Sequence, residues 1–186
     1  MRALLFAILL AMSTSAMAQD NPVIVIDTTL GAIKIELRPD LTPITVENFL
    51  RYIENDYFDG LVFHRIIRGF MIQGGGFTPD MVQKSTYDAI KNEANLGISN
   101  ERGTIAMART NVVDSATSQF FINLVNNGRL DFQNESSQGW GYTAFGKVIE
   151  GMDIVDVIAA VPTGASRGYQ DVPLEPVLIN SVSLEE

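Results

Sequence analysis

An apolar run at Val23–Ile26 is followed by a stretch in which Ala32, Lys34 and Glu36 alternate with Ile33, Ile35 and Leu37. Alternation with a period of two marks strands, because successive side chains point to opposite faces. With Gly31 in the turn between the two runs, the pattern predicts a β-hairpin. The period then lengthens. Thr42 stands where a helix N-cap is expected, with Pro43 at the first helical position, and Val46, Phe49, Leu50, Ile53 and Tyr57 follow at helical spacing until Asn55 and Gly60 close the element. From Leu61 onward, short apolar runs between glycine-rich turns predict strands over 61–67, 70–74, 104–108, 119–124 and 143–149. A second helix is predicted from about Met152, with an apolar stripe of Val155, Ile158 and Ala159 and a stop at Pro162 and Gly164. The closing segment PVLINSVSLEE reads as a last strand. Many short strands, two helices and no βαβ rhythm imply a mainly β fold, a closed or nearly closed antiparallel barrel capped by the helices. The weakly patterned stretch Thr78–Asn100 reads as an excursion over the surface, and such loops often border binding sites.

Residues 1–18 stand apart from this pattern. Arg2, an apolar stretch from Ala3 to about Met12 and the small-residue site Ala16-Met17-Ala18 form a secretory signal pattern, with an apolar core too short for a membrane anchor. Residues 19–186 then form one domain, expected to be soluble and periplasmic. The remaining 12 basic residues against 22 acidic ones leave a charge of −10, which argues against a nucleic-acid partner. The chain has no cysteine and one histidine. No disulfide is possible, and a structural zinc site is not expected.

The stretch FHRIIRGFMIQGGG, residues 63–76, carries most of the chemistry. If it is a strand, Phe63, Arg65 and Ile67 share one face and Val62, His64 and Ile66 the other. Carried past the bend at Gly69, the parity adds Met71 and Gln73 to the Arg65 face. In SQFFINL, Phe120, Ile122 and Leu124 make an interior face, while Gln119, Phe121 and Asn123 point outward. If the two strands adjoin, they present an apolar patch edged by Gln73 and Gln119, with one guanidinium. That is the composition of a small binding pocket. On spacing alone, the favoured reading of Arg65 is a surface arginine whose stem lies along the strand.

Together, FHRIIRGFMIQGGG, GTIAMA (103–108), SQFFI (118–122) and AFGKVIEGM (144–152) resemble the cyclophilin-type peptidyl-prolyl cis/trans isomerases, over about Val23 to Glu185. With the signal pattern, the chain is most similar to exported bacterial members. The resemblance implies a closed eight-stranded antiparallel barrel with two capping helices, no cofactor or metal, and proline-containing unfolded or flexible polypeptides as substrates, acted on by a monomer. It also implies that Arg65 is the catalytic arginine and that Gln73 orients it. Phe70, Met71, Phe121 and Leu130 match the proline pocket, Gln119 a second polar contact, and Ala108 and Arg109 the backbone strip beside the substrate. Three positions depart from many eukaryotic members: Arg129 replaces a tryptophan, Tyr142 a rim histidine and Arg109 an asparagine. An inserted loop, 132–141, separates Asp131 from Tyr142, and its Trp140 does not stand in for the missing tryptophan. These departures imply weakened cyclosporin binding.

An X–Pro bond resists rotation by about 18–20 kcal/mol because the nitrogen lone pair is delocalised into the carbonyl. A fixed donor aimed at the prolyl nitrogen favours the twisted state, where that lone pair returns to nitrogen. No proton transfer or covalent step is required. Two other enzyme motifs fail on context. Gly74–Gly76 lack the helix or Lys-Ser/Thr pair of a phosphate loop and read as a turn. Gly164-x-Ser166-x-Gly168 resembles a hydrolase nucleophile elbow, but Pro173 and Pro176 disfavour a following helix and no histidine comes later. His64 reads as a satisfied structural histidine facing away from Arg65. A binding module or holdase on the same barrel, with Arg109 and Arg129 attracting acidic clients, is the alternative. Client effects that survive loss of Arg65 would identify it.

Overall fold

The computed structural model describes residues 21–185; the signal segment expected at 1–18 lies outside them. The described chain runs β1 (Val23–Thr28), β2 (Gly31–Leu37), α1 (Pro43–Ile53), β3 (Arg65–Ile67), β4 (Met71–Gly74), β5 (Thr104–Met107), β6 (Phe120–Asn123), β7 (Ala144–Glu150), α2 (Met152–Ala159), β8 (Thr163–Ser166), β9 (Tyr169–Pro173) and β10 (Ile179–Leu184). Eight strands form one antiparallel sheet in the order β10-β1-β2-β7-β5-β6-β4-β3, and β8 and β9 form a separate hairpin.

The sheet curls into a half-barrel and, contrary to the sequence expectation, does not close. Its edge strands β10 and β3 are not paired. They approach only through the chain before β3, where the Phe63 N–H donates to Val177 O (3.0 Å), the Ile179 N–H donates to Leu61 O (2.8 Å), and Val62 forms an isolated bridge with Leu178. The reason is what lies beside β3: the β9 strand of the separate hairpin packs there, and β10 meets only the preceding chain. The start of β3 at Arg65 also breaks the predicted alternation before it. Phe63 turns into the main core beside Ile66, so it does not share a face with the exposed Arg65.

The core lies between the inner face of the sheet and the two helices. Ile24, Ile26, Ile33, Ile35, Leu37, Ile105, Phe120, Ile122 and Phe145 are buried against Phe49 and Tyr52 of α1 and Val155 and Ile158 of α2. Phe49 is a hub, with the rings of Phe58, Phe120 and Phe145 at 4.9, 5.5 and 5.1 Å. Each buried aromatic or aliphatic side chain contributes about 1.5–3 kcal/mol through removal of apolar surface from water.

The segment 78–100 is more than a surface excursion. It straps α1 to the sheet at several points. Lys84 Nζ donates to Tyr57 O (2.6 Å), the Tyr87 N–H donates to the Tyr52 hydroxyl (3.0 Å), and Ile90 and Ile98 bridge to Ala116 and Ala144. Glu93, only 4% exposed, supplies the cap of α1 from a distance. Its carboxylate accepts from the Ile44 N–H (3.2 Å), the Thr45 N–H (2.8 Å) and the Thr45 hydroxyl (2.8 Å). Thr42, the expected N-cap, makes no capping bond and instead donates to Arg38 O (3.1 Å). A carboxylate satisfies the free N–H groups of the first turn and also opposes the positive end of the helix dipole, which a hydroxyl does not. Glu93→Ala strands these buried donors and is expected to destabilise the fold by about 2–3 kcal/mol, read as a lower urea midpoint with an unchanged slope. Thr42→Ala should cost clearly less; the reverse order would contradict the cap assignment.

Candidate active site

Strand register brings the site residues into line. Across β3–β4, Arg65 pairs with Gln73; across β4–β6, Gln73 pairs with Phe121; across β6–β5, Phe121 pairs with Ala106; and across β5–β7, Ala106 pairs with Ala144. Residues so paired carry their side chains on the same face of the sheet, here the face away from the main core. Met71 joins them two residues from Gln73. Around Met71, Ala106, Phe121 and Ala144 gather Ile67, Phe70, Ile98, Ala108, Leu130 and Tyr142, forming an apolar cluster distinct from the main core.

An open pocket of about 230 Å³ lies on this cluster, lined by Arg65, Phe70, Met71, Gln73, Ala108, Arg109, Phe121, Leu130 and Tyr142. All nine were singled out from the sequence. The tenth, Gln119, stands just behind them, its Oε1 accepting from Gln73 Nε2 (2.9 Å). Two glycines of the triplet make room behind the pocket, Gly75 for the Phe120 ring and Gly76 for the Gln119 side chain. Gly75 holds φ +80°, and an added Cβ there would come within 2.8 Å of the Phe120 ring; one on Gly76 would come within 2.5 Å of Gln119 Cγ. The triplet therefore serves close packing, as expected of a turn.

The pocket walls rest on a buried polar network that the sequence pattern did not reveal. Asn127 Nδ2 donates to Phe70 O (3.0 Å) and Asn123 Oδ1 (2.8 Å), and Asn123 Nδ2 donates to the Thr104 hydroxyl (2.9 Å) and Asn100 Oδ1 (3.2 Å). Asn100 Nδ2 in turn donates to Tyr142 O (3.1 Å) and Asp131 Oδ1 (3.0 Å). Phe70 comes from the β3–β4 turn and Leu130 and Tyr142 from the β6–β7 connection; the amides fix the backbones of Phe70 and Tyr142, and the Tyr142 N–H ties Leu130 to them through its carbonyl (2.9 Å). The signal was present in the outward parity of Asn123, a polar residue beside buried neighbours.

The arginines divide by task. Arg109 is committed to the inserted loop: Nε donates to Gly141 O (2.7 Å), Nη1 to Thr110 O (3.0 Å) and Nη2 to Ser137 O (3.1 Å), while its guanidinium lies 4.8 Å from the Tyr142 ring centre. Trp140 secures the same loop, donating from Nε1 to Asn92 O (3.3 Å) and meeting Phe132 edge to face, and it does not line the pocket. Arg129 is exposed and lies over the Phe70 ring at 4.8 Å. Arg65 is half exposed, and its Nε stands 4.0 Å from Asp171 Oδ2 on β9.

Two further sequence candidates resolve here. Gly164-x-Ser166-x-Gly168 forms the β8–β9 hairpin, with Arg167 (φ +49°) and Gly168 (φ +89°) at its two-residue turn, so no helix follows the serine. His64 does face away from Arg65, into a small cluster against Phe77, with ring centres 4.6 Å apart. It is not satisfied, however, because its buried Nδ1 has no hydrogen-bond partner.

A protein-family model described as "Cyclophilin type peptidyl-prolyl cis-trans isomerase/CLD" matches residues 23–184. The chain is 55% identical over 159 residues to peptidyl-prolyl cis-trans isomerase B of Escherichia coli, covering 86% of this chain and 97% of that protein. It is 54% identical to the isomerase cyp18 of Streptomyces antibioticus, covering 86% of this chain and 96% of the relative. A crystal structure of a Cryptosporidium parvum cyclophilin-type isomerase superposes with a TM-score of 0.75 at 25% identity, over 89% of this chain and 98% of that one. A second structure of that protein was obtained in the presence of the dipeptide Ala-Pro, with a TM-score of 0.74. The chain belongs to the cyclophilin-type peptidyl-prolyl cis-trans isomerases.

The orphaned histidine has a consequence for stability. Burial, aided by the nearby Arg65 charge, pushes the His64 pKa from 6.5 down to about 4; the Val62 backbone and the Gln119 side chain oppose the shift without overcoming it. Between these two values the unfolded chain binds a proton that the folded chain does not, so stability rises with pH across the window and is lost as pH falls through it. The loss is on the order of 3 kcal/mol between pH 7 and pH 4. A His64→Leu variant removes it. The urea midpoint of wild type should fall relative to that of the variant as pH falls from about 7 to 4, and a constant gap would contradict the assignment.

Proposed function

We propose that this isomerase turns X–Pro bonds in exported polypeptides, assists their folding in the periplasm, and does so by a non-covalent mechanism centred on Arg65. The observation that carries the mechanism is the register row that sets the Arg65 guanidinium beside Gln73 at the mouth of an apolar pocket.

In this reading the proline ring enters between Phe70, Met71, Phe121 and Leu130, and Ala108 offers its backbone to the peptide alongside. The Gln73 amide, its Nε2 donating to Gln119, keeps its oxygen to accept from the arginine. Arg65 then donates toward the prolyl nitrogen. In the planar ground states that nitrogen has little free lone pair, and at the twisted geometry it has a full one. The hydrogen bond therefore strengthens at the transition state, and only such a difference accelerates the step. A proline segment seated in the pocket would cover the half-exposed guanidinium, exclude water from it and strengthen its field. Ala-Pro as the dipeptide used with the Cryptosporidium relative supports short proline-containing segments as substrates. The small-residue cleavage pattern at 16–18 supports export.

By analogy with a preorganised oxyanion donor, Arg65→Ala is expected to lose about 2.7–4 kcal/mol of transition-state stabilisation, or roughly 10²–10³ in kcat/KM. Cis-to-trans relaxation of a short X–Pro peptide measures it. Full activity in a folded Arg65→Ala protein would rule the mechanism out.

A further inference from the structure

The β8–β9 hairpin carries an irregularity at one residue. Gly164 pairs with Val172 and Ser166 with Tyr169, so β9 advances three residues while β8 advances two. The extra residue is a β-bulge, a device that re-aims a side chain. Within it, Asp171 adopts φ +61°, a left-handed conformation uncommon outside glycine but tolerated by aspartate and asparagine. β9 packs beside β3, and the re-aimed carboxylate meets the Nε edge of Arg65 at 4.0 Å. It is the one carboxylate within ion-pair distance of Arg65 among the described residues.

We propose that Asp171 is a positioning residue for Arg65, an inference that rests on the catalytic reading of that arginine. A guanidinium has three donor-bearing nitrogens in one plane. A carboxylate on the Nε edge sets the rotation of that plane and leaves both Nη groups free to face the pocket. Gln73 is its register partner on β4 and Asp171 faces it from β9, so the arginine, nearly half of its side chain exposed, has a polar neighbour on each side. Asp171 does not touch the substrate in this arrangement and acts only through Arg65. Its charge also opposes that of the arginine. The 4.0 Å separation, with both groups half exposed and screened by water, keeps this neutralisation small while the orientational preference survives.

A double-mutant cycle tests the inference. Asp171→Asn preserves shape and suits the left-handed backbone, so the variant keeps the wild-type urea midpoint to within a few tenths of a molar. The expected result is a kcat reduced about three- to fivefold with KM unchanged, a gap that narrows as salt is raised. In the Arg65→Ala background the same substitution should change nothing. An unchanged or increased kcat in Asp171→Asn overturns the inference, and so does an equal loss in both backgrounds, which marks a structural role. If Arg65→Ala alone is fully active, the catalytic reading falls and this inference with it. If Arg65→Ala is impaired and Asp171→Asn is not, only this inference falls.

Discussion

Strand register is the constraint on which the site depends. Arg65, Gln73, Phe121, Ala106 and Ala144 form one row across five strands because each pair is held opposite the next. A slip of one residue in β6 would turn Phe121 into the core and Phe120 out of it. Such a slip is prevented by what lies beneath. Phe120 and Ile122 fill the main core against Phe49, and no smaller or polar residue could take their places without a cavity or a buried unpaired group. The catalytic face is thus fixed by the packing of the opposite face.

The hydrophobic pattern reveals much of this. Both helices and the strands of the sheet follow from periodicity, and Arg65, Met71, Gln73 and Phe121 share a face because period-two parity survives the bend at Gly69. Sequence alone reads less well where geometry depends on distant parts of the chain. Sheet closure depends on which distant segment comes to lie beside β3, and here it is β9. The cap of α1 comes from Glu93, 48 residues beyond Thr45, and no local rule finds it. The β8–β9 hairpin is short, half polar and bulged, so it has no clean alternation to read. Its turn, Arg167-Gly168, had the chemistry of a hairpin but sat inside a pattern that suggested something else.

Polar burial and apolar burial have different tasks in this molecule. Aromatic packing around Phe49 holds the sheet and helices together without specifying where the loops lie. Asn92, Glu93, Asn100, Asn123 and Asn127 are buried too, and each is satisfied by a particular backbone group or side chain. Since a buried amide left without its partner is costly, the network tolerates one loop arrangement. His64 is the exception, a buried nitrogen with nothing to bond. It leaves the fold, and no step of the proposed mechanism, sensitive to acid.

Arg109 holds the 132–141 loop by its main chain, at Ser137 O and Gly141 O, and Trp140 ties the loop outward to Asn92 O; each acceptor is a backbone oxygen. Every residue type carries that oxygen. Asn134 and Ser136 add side-chain bonds within the loop, accepting from the Ser136 N–H (3.0 Å) and the Gly139 N–H (3.0 Å), so it is the loop's other exposed positions that are free to drift from one lineage to the next while the loop keeps its shape. A rim that changes in chemistry over an unchanged scaffold is a route by which one isomerase domain can acquire new clients without relearning how to fold.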